Sequence, residues 1–298
     1  MSGAGSLSSL SQSPWPLVIA AIERANGRGF TPTQLTRVGG GCINHCYCLS
    51  DGHQSWFVKL NRHQCLSLFE AEADGLAALG DWSLSPLTLG QAGEHAFLVL
   101  PFVALTSHGN HFEAGRAIAR LHQAEPHHLD PQGYGWHRHN FIGETVQYNH
   151  WQGCWARFWW QCRLQPQLTL ARQRGFGKAL APAVAGLESI SDRVLAEHQP
   201  QACLVHGDLW QGNLGFVDGQ ARVFDPACYL GDRETDLAMT ELFGGFDPEF
   251  YRGYESQWPL SPGYQRRRPL YQLYHLLNHL NLFGDGYLDS VRAKLQQL

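Results

Sequence analysis

Charge is scarce in this 298-residue chain: Asp, Glu, Lys and Arg make up only 16% of it and leave a net charge of −4. A protein that grips nucleic acid needs a basic face to meet phosphates, so no nucleic-acid partner is expected. The one dense basic run, Arg266-Arg267-Arg268, reads as a solvated helix start. Basic residues are also missing ahead of the short apolar segment in the opening MSGAGSLSSLSQSPWPLVIAAIERANG. That stretch reads as neither a signal peptide nor a membrane span, and no membrane partner is expected. Without a secretory signal, the eight cysteines read as reduced thiols in a cytoplasm. No C-x-x-C pair occurs among them. Cys42, Cys46 and Cys48 lie near His45, but alternation puts Cys46 and Cys48 on one strand face, which does not read as a zinc site. The sixteen histidines include no H-E-x-x-H pattern and read as surface or core residues. Neither an internal repeat nor a low-complexity linker is found.

What is present is apolar. Hydrophobic residues make up 44% of the chain, enough for a large core in one big domain or two lobes. Residues 1–13 read as a Ser/Gly-rich flexible tail, followed by a helix with Ser13 as N-cap and Pro14 at its first position. Short strands are expected near 35–38, 46–50, 55–60, 87–90 and 96–100, with one helix among them and SDGHQ as a hairpin turn. Beyond Pro101 the pattern turns helical, at roughly 111–124, 151–173, 178–197, 236–242 and 266–283. One hairpin, LGFV-DG-QARVF, interrupts these helices. The expected fold is α+β and bilobal: a small β-rich N-terminal lobe over 14–101 and a larger, mainly helical C-terminal lobe over 102–298.

The stretch LVHGDLWQGN places Asp208 and Asn213 five residues apart in a loop punctuated by two glycines. In phosphoryl transfer an aspartate at this position accepts a hydroxyl proton and the asparagine holds Mg²⁺; a capped turn after a buried strand is the plainer alternative. Four further features bear on the choice. Gly39-Gly40-Gly41-Cys42-Ile43-Asn44 lies between two expected strands and can turn backbone amides toward phosphate, although no Gly-Lys-Ser/Thr follows and a tight turn explains it as well. Lys59 sits inside the apolar strand WFVKL, where an unpaired ammonium is costly. Glu72 lies on the apolar stripe of Phe69, Leu76 and Leu79, with Glu70 and Asp74 on the opposite, solvated side, so Lys59 is its natural partner; an incidental salt bridge is the alternative. Asp225, in RVFDPACY, closes the hairpin that begins after Asn213, so both can reach one Mg²⁺. Each feature alone is ambiguous, but their order along the chain is that of a protein-kinase-like fold.

Only about ten residues separate Asp225 from the next helix, and no A-P-E motif follows. That favours a small-molecule kinase over a protein kinase. The stretches GGGCIN, FVKLNR, FEAEADGLAAL, HGDLWQGN, FDPACYLGDRETDLAM, FGGF and YQLYHLLNHLNLFG resemble the fructosamine kinase (ketosamine-3-kinase) family, a branch of the aminoglycoside-phosphotransferase-like kinases. So do YGWHRHNFIGETVQYNHW and RLQPQL, and the similarity runs from about residue 30 to 284. The tryptophan directly after HGDL sets it apart from most aminoglycoside and choline kinases.

The resemblance implies ATP- and Mg²⁺-dependent phosphorylation of the 3-hydroxyl of ketosamines, free or on protein lysines, which promotes deglycation. It makes Asp208 the catalytic base, Asn213 and Asp225 the metal ligands, and Lys59 and Glu72 the phosphate-positioning pair. The loop Gly39 to Asn44 would cover the phosphates, and the hinge at Leu100, Pro101 and Phe102 would receive adenine. Pro101 has no N–H, so the donor there is expected from Phe102 or Val103. Asp232 and Asp236 would order the catalytic loop, with helix capping as the competing reading. Trp210, Trp136, Phe141, Gln147 and Asn149 are the expected sugar contacts, whereas Trp155 and Trp159 read as core. Cys42 is either a redox-responsive thiol in the field of the loop amides or an inert small residue in a tight turn. A monomer or weak dimer is expected. A kinase for an aminoglycoside, choline or other amino alcohol would share every phosphate-handling residue, and a nucleotide-binding pseudokinase is the non-enzymatic alternative.

Overall fold

The computed structural model describes residues 10–39, 44–125 and 132–298, and the chain divides into two compact units between Thr106 and Ser107. The first unit begins with α1 (Trp15–Asn26). Strands β1 (Gln34–Val38), β2 (His45–Ser50) and β3 (Ser55–Arg62) follow, then α2 (Leu66–Leu79), β4 (Thr88–Ala92) and β5 (His95–Pro101). The strands form one antiparallel sheet in the order β1-β2-β3-β5-β4. All five strands and the hairpin turn fall where the alternation pattern puts them. Asp51 closes that turn as its Oδ1 accepts from the His53 and Gln54 amides at 2.8 and 2.7 Å. Helix α1 starts one residue later than expected. Pro14 takes the cap position, no side chain caps it, and a second proline, Pro16, occupies the first turn, where a missing N–H costs nothing.

Strand alternation feeds two cores in this unit. Val58, Leu60, Phe97 and Val99 pack with Trp15, Val18 and Ile22 of α1. Phe57, Ala96, Leu98 and Leu100 point the other way and pack with Phe69 and Leu76 of α2. Lys59 lies between Val58 and Leu60 in sequence, so the period of two sends its side chain to the α2 side with Phe57.

The second unit begins with α3 (His111–Gln123), capped by Asn110, whose side chain accepts from the Glu113 amide at 3.1 Å. A short hairpin follows, β6 (Asn140–Ile142) and β7 (Thr145–Gln147), then α4 (Trp155–Trp159), a π turn at Trp160–Leu164, and α5 (Gln165–Gln173). The expected helix over 151–173 is thus interrupted. The widened turn stands directly before Pro166, whose ring excludes the regular bond to the preceding turn. The expected helix over 178–197 is two: α6 (Gly177–Val184), with Pro182 inside it, and α7 (Leu187–Leu195), separated by Gly186 in the left-handed region. The chain continues through β8 (Cys203–Val205), the hairpin β9 (Leu214–Val217) and β10 (Gln220–Val223), and β11 (Tyr229–Gly231). It ends with α8 (Glu234–Thr240), α9 (Pro248–Gln257), α10 (Tyr264–Phe283) and α11 (Leu288–Leu295).

Trp155 and Trp159 are fully buried, and the Trp155 indole donates to the Tyr271 hydroxyl at 3.0 Å. Helices α3 and α9 cross through glycines: a Cβ on Gly115 would lie 1.9 Å from the Phe250 carbonyl, and one on Gly253 would lie 1.9 Å from that of Phe112. Gly253→Ala is therefore expected to destabilise the protein by about 1–3 kcal/mol, because backbone cannot yield as a side chain can. Urea unfolding checks this, and an unchanged midpoint would contradict it.

Candidate active site

Strands β8 and β11 pair antiparallel, Val205 opposite Tyr229, and so clamp together the two ends of the segment that carries His206 to Cys228. At the exit of β8 the chain turns sharply. Gly207 has φ +82°, and a Cβ there would meet the Ala227 carbonyl oxygen at 2.1 Å, so both conformation and space demand glycine. The turn is held by Asp236 from α8, whose carboxylate accepts from the His206 and Gly207 amides at 2.7 and 2.8 Å. His122 of α3 adds a third bond to the same carboxylate at 3.1 Å, and its Nδ1 meets the Tyr254 hydroxyl at 2.8 Å. Burial opposes the Asp236 charge, but these hydrogen bonds and the neighbouring imidazoles outweigh it and hold the carboxyl below its ordinary value.

His206 braces the loop from within. Its Nε2 bonds the Phe224 carbonyl at 3.0 Å and its Nδ1 accepts from the Asp208 amide at 3.2 Å, which assigns the neutral Nε2–H form. Burial also lowers its proton affinity. The Asn213 amide nitrogen donates to the Asp208 backbone oxygen at 2.9 Å and to the Asp208 Oδ2 at 3.3 Å. With its nitrogen so engaged, Asn213 can present only Oδ1 to a cation. Asp225 stands two residues past β10 with φ +56°, a left-handed conformation that aspartate tolerates better than most residues. One amide oxygen and one carboxylate are hard donors of the kind Mg²⁺ takes, so the donor set fits that ion.

Burial pushes the Asp208 carboxyl up to about 7, with the Asp225 and Asp236 charges adding to the effect and the Asn213 hydrogen bond opposing it. The side chain keeps 23% exposure, so water offsets part of that rise. A cation at Asn213 and Asp225 would oppose it further by cancelling the Asp225 charge.

In the first unit, Lys59 Nζ meets Glu72 Oε1 at 2.6 Å, with side chains 6% and 13% exposed. Glu70 and Asp74, expected on a solvated side, are half-buried instead. At the hinge, Leu100 is buried and Phe102 is 41% exposed. The Phe102 amide donates to the Ser55 carbonyl at 3.1 Å, so of the two expected adenine donors only Val103 is left to serve. Gly39 has open space around it, and the Asn44 Oδ1 accepts from the Asn61 side chain at 2.8 Å. Gly40, Gly41, Cys42 and Ile43 lie outside the described residues, and with them both readings of Cys42.

The expected sugar contacts divide. Trp210, two residues after Asp208, is 39% exposed, and Phe141 is half-buried. Trp136, Gln147 and Asn149 are buried, and the two amides are engaged internally. Gln147 Nε2 donates to the Ala227 carbonyl and to Asn140 Oδ1 at 3.0 and 2.8 Å, and its Oε1 accepts from the Tyr274 hydroxyl at 2.8 Å. Asn149 Nδ2 donates to Asn140 Oδ1 at 2.8 Å, while its Oδ1 accepts from Arg163 at 2.9 Å. As placed, neither amide has a group left for a sugar; with Asn140, which donates to the Cys228 carbonyl at 2.7 Å, they support the segment after Asp225.

Several supporting residues escaped the motif reading. The fully buried Arg163, in the π turn, lies 4.0 Å above the Tyr229 ring. His122 and Tyr254 come from helices far apart in sequence, and only the buried face of α3 hints at the first of them. Asp232 Oδ1 accepts from the Glu234 amide at the start of α8 at 3.0 Å, and Oδ2 meets His198 and Tyr271, each at 2.6 Å. Among the described residues, His198, Asp232 and Glu234 bring ligand atoms within 4.8 Å of one another. Both Glu234 oxygens are, however, bonded by Arg267 at 2.7 Å, which makes this a closed ion-pair network.

Phosphoryl transfer to an alcohol is the chemistry that a fixed Asp-x4-Asn loop and a buried Lys–Glu pair serve, and the chain is a kinase of the protein-kinase-like class. At 14% identity it shares that fold with a thermostable mutant of aminoglycoside phosphotransferase APH(4)-Ia, with a TM-score of 0.58 over 93% of this chain and 97% of the other. The sequence profile of the fructosamine kinase family matches residues 14–298, and the protein belongs to that family. A Synechocystis protein named as a probable ketoamine kinase is 43% identical over 295 residues, 96% of this chain and 97% of its own. The chloroplastic protein-ribulosamine 3-kinase of Oryza sativa subsp. indica is 37% identical over 274 residues, 90% and 79% of the two chains. The solved structure of a Haemophilus somnus protein assigned as a fructosamine-3-kinase has a TM-score of 0.87 at 30% identity, covering 96% and 98%.

Proposed function

We propose that this protein transfers the γ-phosphate of ATP to the 3-hydroxyl of a ketosamine, free or attached to protein lysines, and thereby promotes release of the amine. The observation that carries this reading is the Asp208 loop with the exposed Trp210 beside it, in a chain of this family. Asp208 accepts the hydroxyl proton; the Asn213 amide holds its Oδ2, so that Oδ1 is the oxygen presented to the acceptor. Asn213 and Asp225 hold Mg²⁺, which neutralises charge on the phosphates when bound. Lys59, steadied by Glu72, positions the nucleotide phosphates, and the Val103 amide meets adenine. Trp210 offers an aromatic face to the C–H surface of the sugar.

Phosphate is a far better leaving group than hydroxide. Placed beside the ketone, it can be eliminated, and the imine that remains hydrolyses to free the amine. Among the described residues no disulfide is formed, which fits a reducing cytoplasm. No described helix is long and apolar enough to cross a membrane.

Purified protein with Mg²⁺ and ATP should phosphorylate ribose- or fructose-derived lysine adducts and leave unglycated lysine and kanamycin untouched. Robust turnover of kanamycin or choline with none of a ketosamine would move the protein to the amino-alcohol kinases.

A further inference from the structure

His275 of α10 is 2% exposed, and its Nδ1 has no hydrogen-bond partner. That atom lies 4.0 Å from Asp208 Oδ1, too far for a hydrogen bond and close enough to share a third atom with it. Natural folds rarely leave a buried polar nitrogen unmet, and here the nitrogen faces the reacting carboxylate. We propose that His275 positions the acceptor hydroxyl, donating from Nδ1–H to the oxygen whose proton Asp208 removes.

The geometry is that of a single oxygen between two partners. An oxygen about 2.8 Å from each of two atoms that are 4.0 Å apart subtends an angle of about 90°, close to what a hydroxyl accommodates. A hydroxyl has one proton and two lone pairs. Its proton goes to Asp208 Oδ1, one lone pair accepts from His275, and the second is left to attack phosphorus. As the O–P bond forms, the proton passes to Asp208 and the bond to the ADP oxygen breaks, so His275 neither gains nor loses a proton. Burial and the positive fields of His279 and Arg163 hold the His275 imidazole near pKa 3, against the pull of Asp236, so it is neutral at working pH and has a single N–H. The adjacent Asp208 carboxylate favours that proton on Nδ1. Tyr274, next in the chain, bonds Gln147 at 2.8 Å and helps lock this part of α10.

This inference rests on the proposed ketosamine kinase activity, and its test separates the two. Wild type, His275→Asn and His275→Leu are compared for kcat and for the KM of both substrates, with thermal unfolding alongside. Asparagine keeps an N–H donor near the place of imidazole Nδ1, whereas leucine keeps only bulk. His275→Leu should lose roughly tenfold or more in kcat while its KM for ATP holds. His275→Asn should recover most of that loss. If wild type itself fails to phosphorylate a ketosamine, the proposed function fails. If wild type is active, the role of His275 is overturned when His275→Leu turns over as well as wild type, when His275→Asn is as impaired as His275→Leu, or when KM for ATP rises and the melting temperature falls along with the loss in kcat.

Discussion

Asp208→Asn is expected to cut ketosamine phosphorylation by about 10²–10⁴-fold while leaving MgATP bound, because a positioned general base contributes on that scale. On the proposed reading the nucleotide keeps Lys59 and Asp225, and Asn213, which loses its carboxylate partner, keeps its bond to the Asp208 backbone oxygen at 2.9 Å. The same change should stabilise the protein without ligands. A carboxyl raised from 3.8 to about 7 on folding binds a proton in the native state that the unfolded chain has lost. The Asp208 contribution to stability is therefore fully present below about pH 4 and is lost as pH rises through 7. Asparagine carries no charge to bury, so at pH 8 Asp208→Asn should unfold at higher urea, by about 1–3 kcal/mol. A base that is also a source of electrostatic strain predicts this opposition, lower turnover with higher stability. Asp225→Ala serves as the contrast: it should weaken MgATP binding itself, read by nucleotide titration. Near-normal turnover in Asp208→Asn would remove the base from the mechanism.

Asp236→Asn is expected to lose both stability and activity. Asp236 accepts on both oxygens, Oδ1 from Gly207 and Oδ2 from His206 and His122. An amide can present only one oxygen, so its NH₂ would face a buried donor whichever way it is turned. Leaving such a group unmet, with the loss of charge-assisted bonds, costs about 2–4 kcal/mol. The loop carrying Asp208 hangs on these bonds, so kcat should fall with stability, by roughly 10²-fold for misplacement of the base. Denaturant unfolding and steady-state kinetics on the same preparation check both halves. A variant as stable as wild type would show that Asp236 does not hold the loop.

The parts of the fold legible in the sequence were those with local periodicity. Alternation marks β3 and β5, and the i, i+3, i+4 stripe of Phe69, Leu76 and Leu79 marks α2; together they brought Lys59 to Glu72. Strands β6, β8 and β11 are three residues each, too short for any period to register. The break between α6 and α7 turns on a left-handed Gly186, which an apolar pattern does not reveal. The pairing of Asp208 with Asn213 was readable because its spacing is fixed within ten residues, and the structure joins the two by a hydrogen bond. The support behind it was not, since His122, Gln147, Arg163 and Tyr254 reach it from distant elements. Gln147 and Asn149 look like sugar-binding amides in sequence and are buried in the structure, because a polar side chain that braces a loop and one that grips a ligand have the same composition. Burial alone distinguishes them.

The position of the new phosphate tests the central claim most directly. A ribulose- or fructose-lysine adduct is incubated with the protein, Mg²⁺ and ATP, and the product is examined by ³¹P NMR coupled to the sugar protons as it forms and decays. The account predicts phosphate on O3, followed by release of inorganic phosphate and free lysine amine in step. Phosphate on another oxygen, or on the lysine itself, with no amine released, would contradict it.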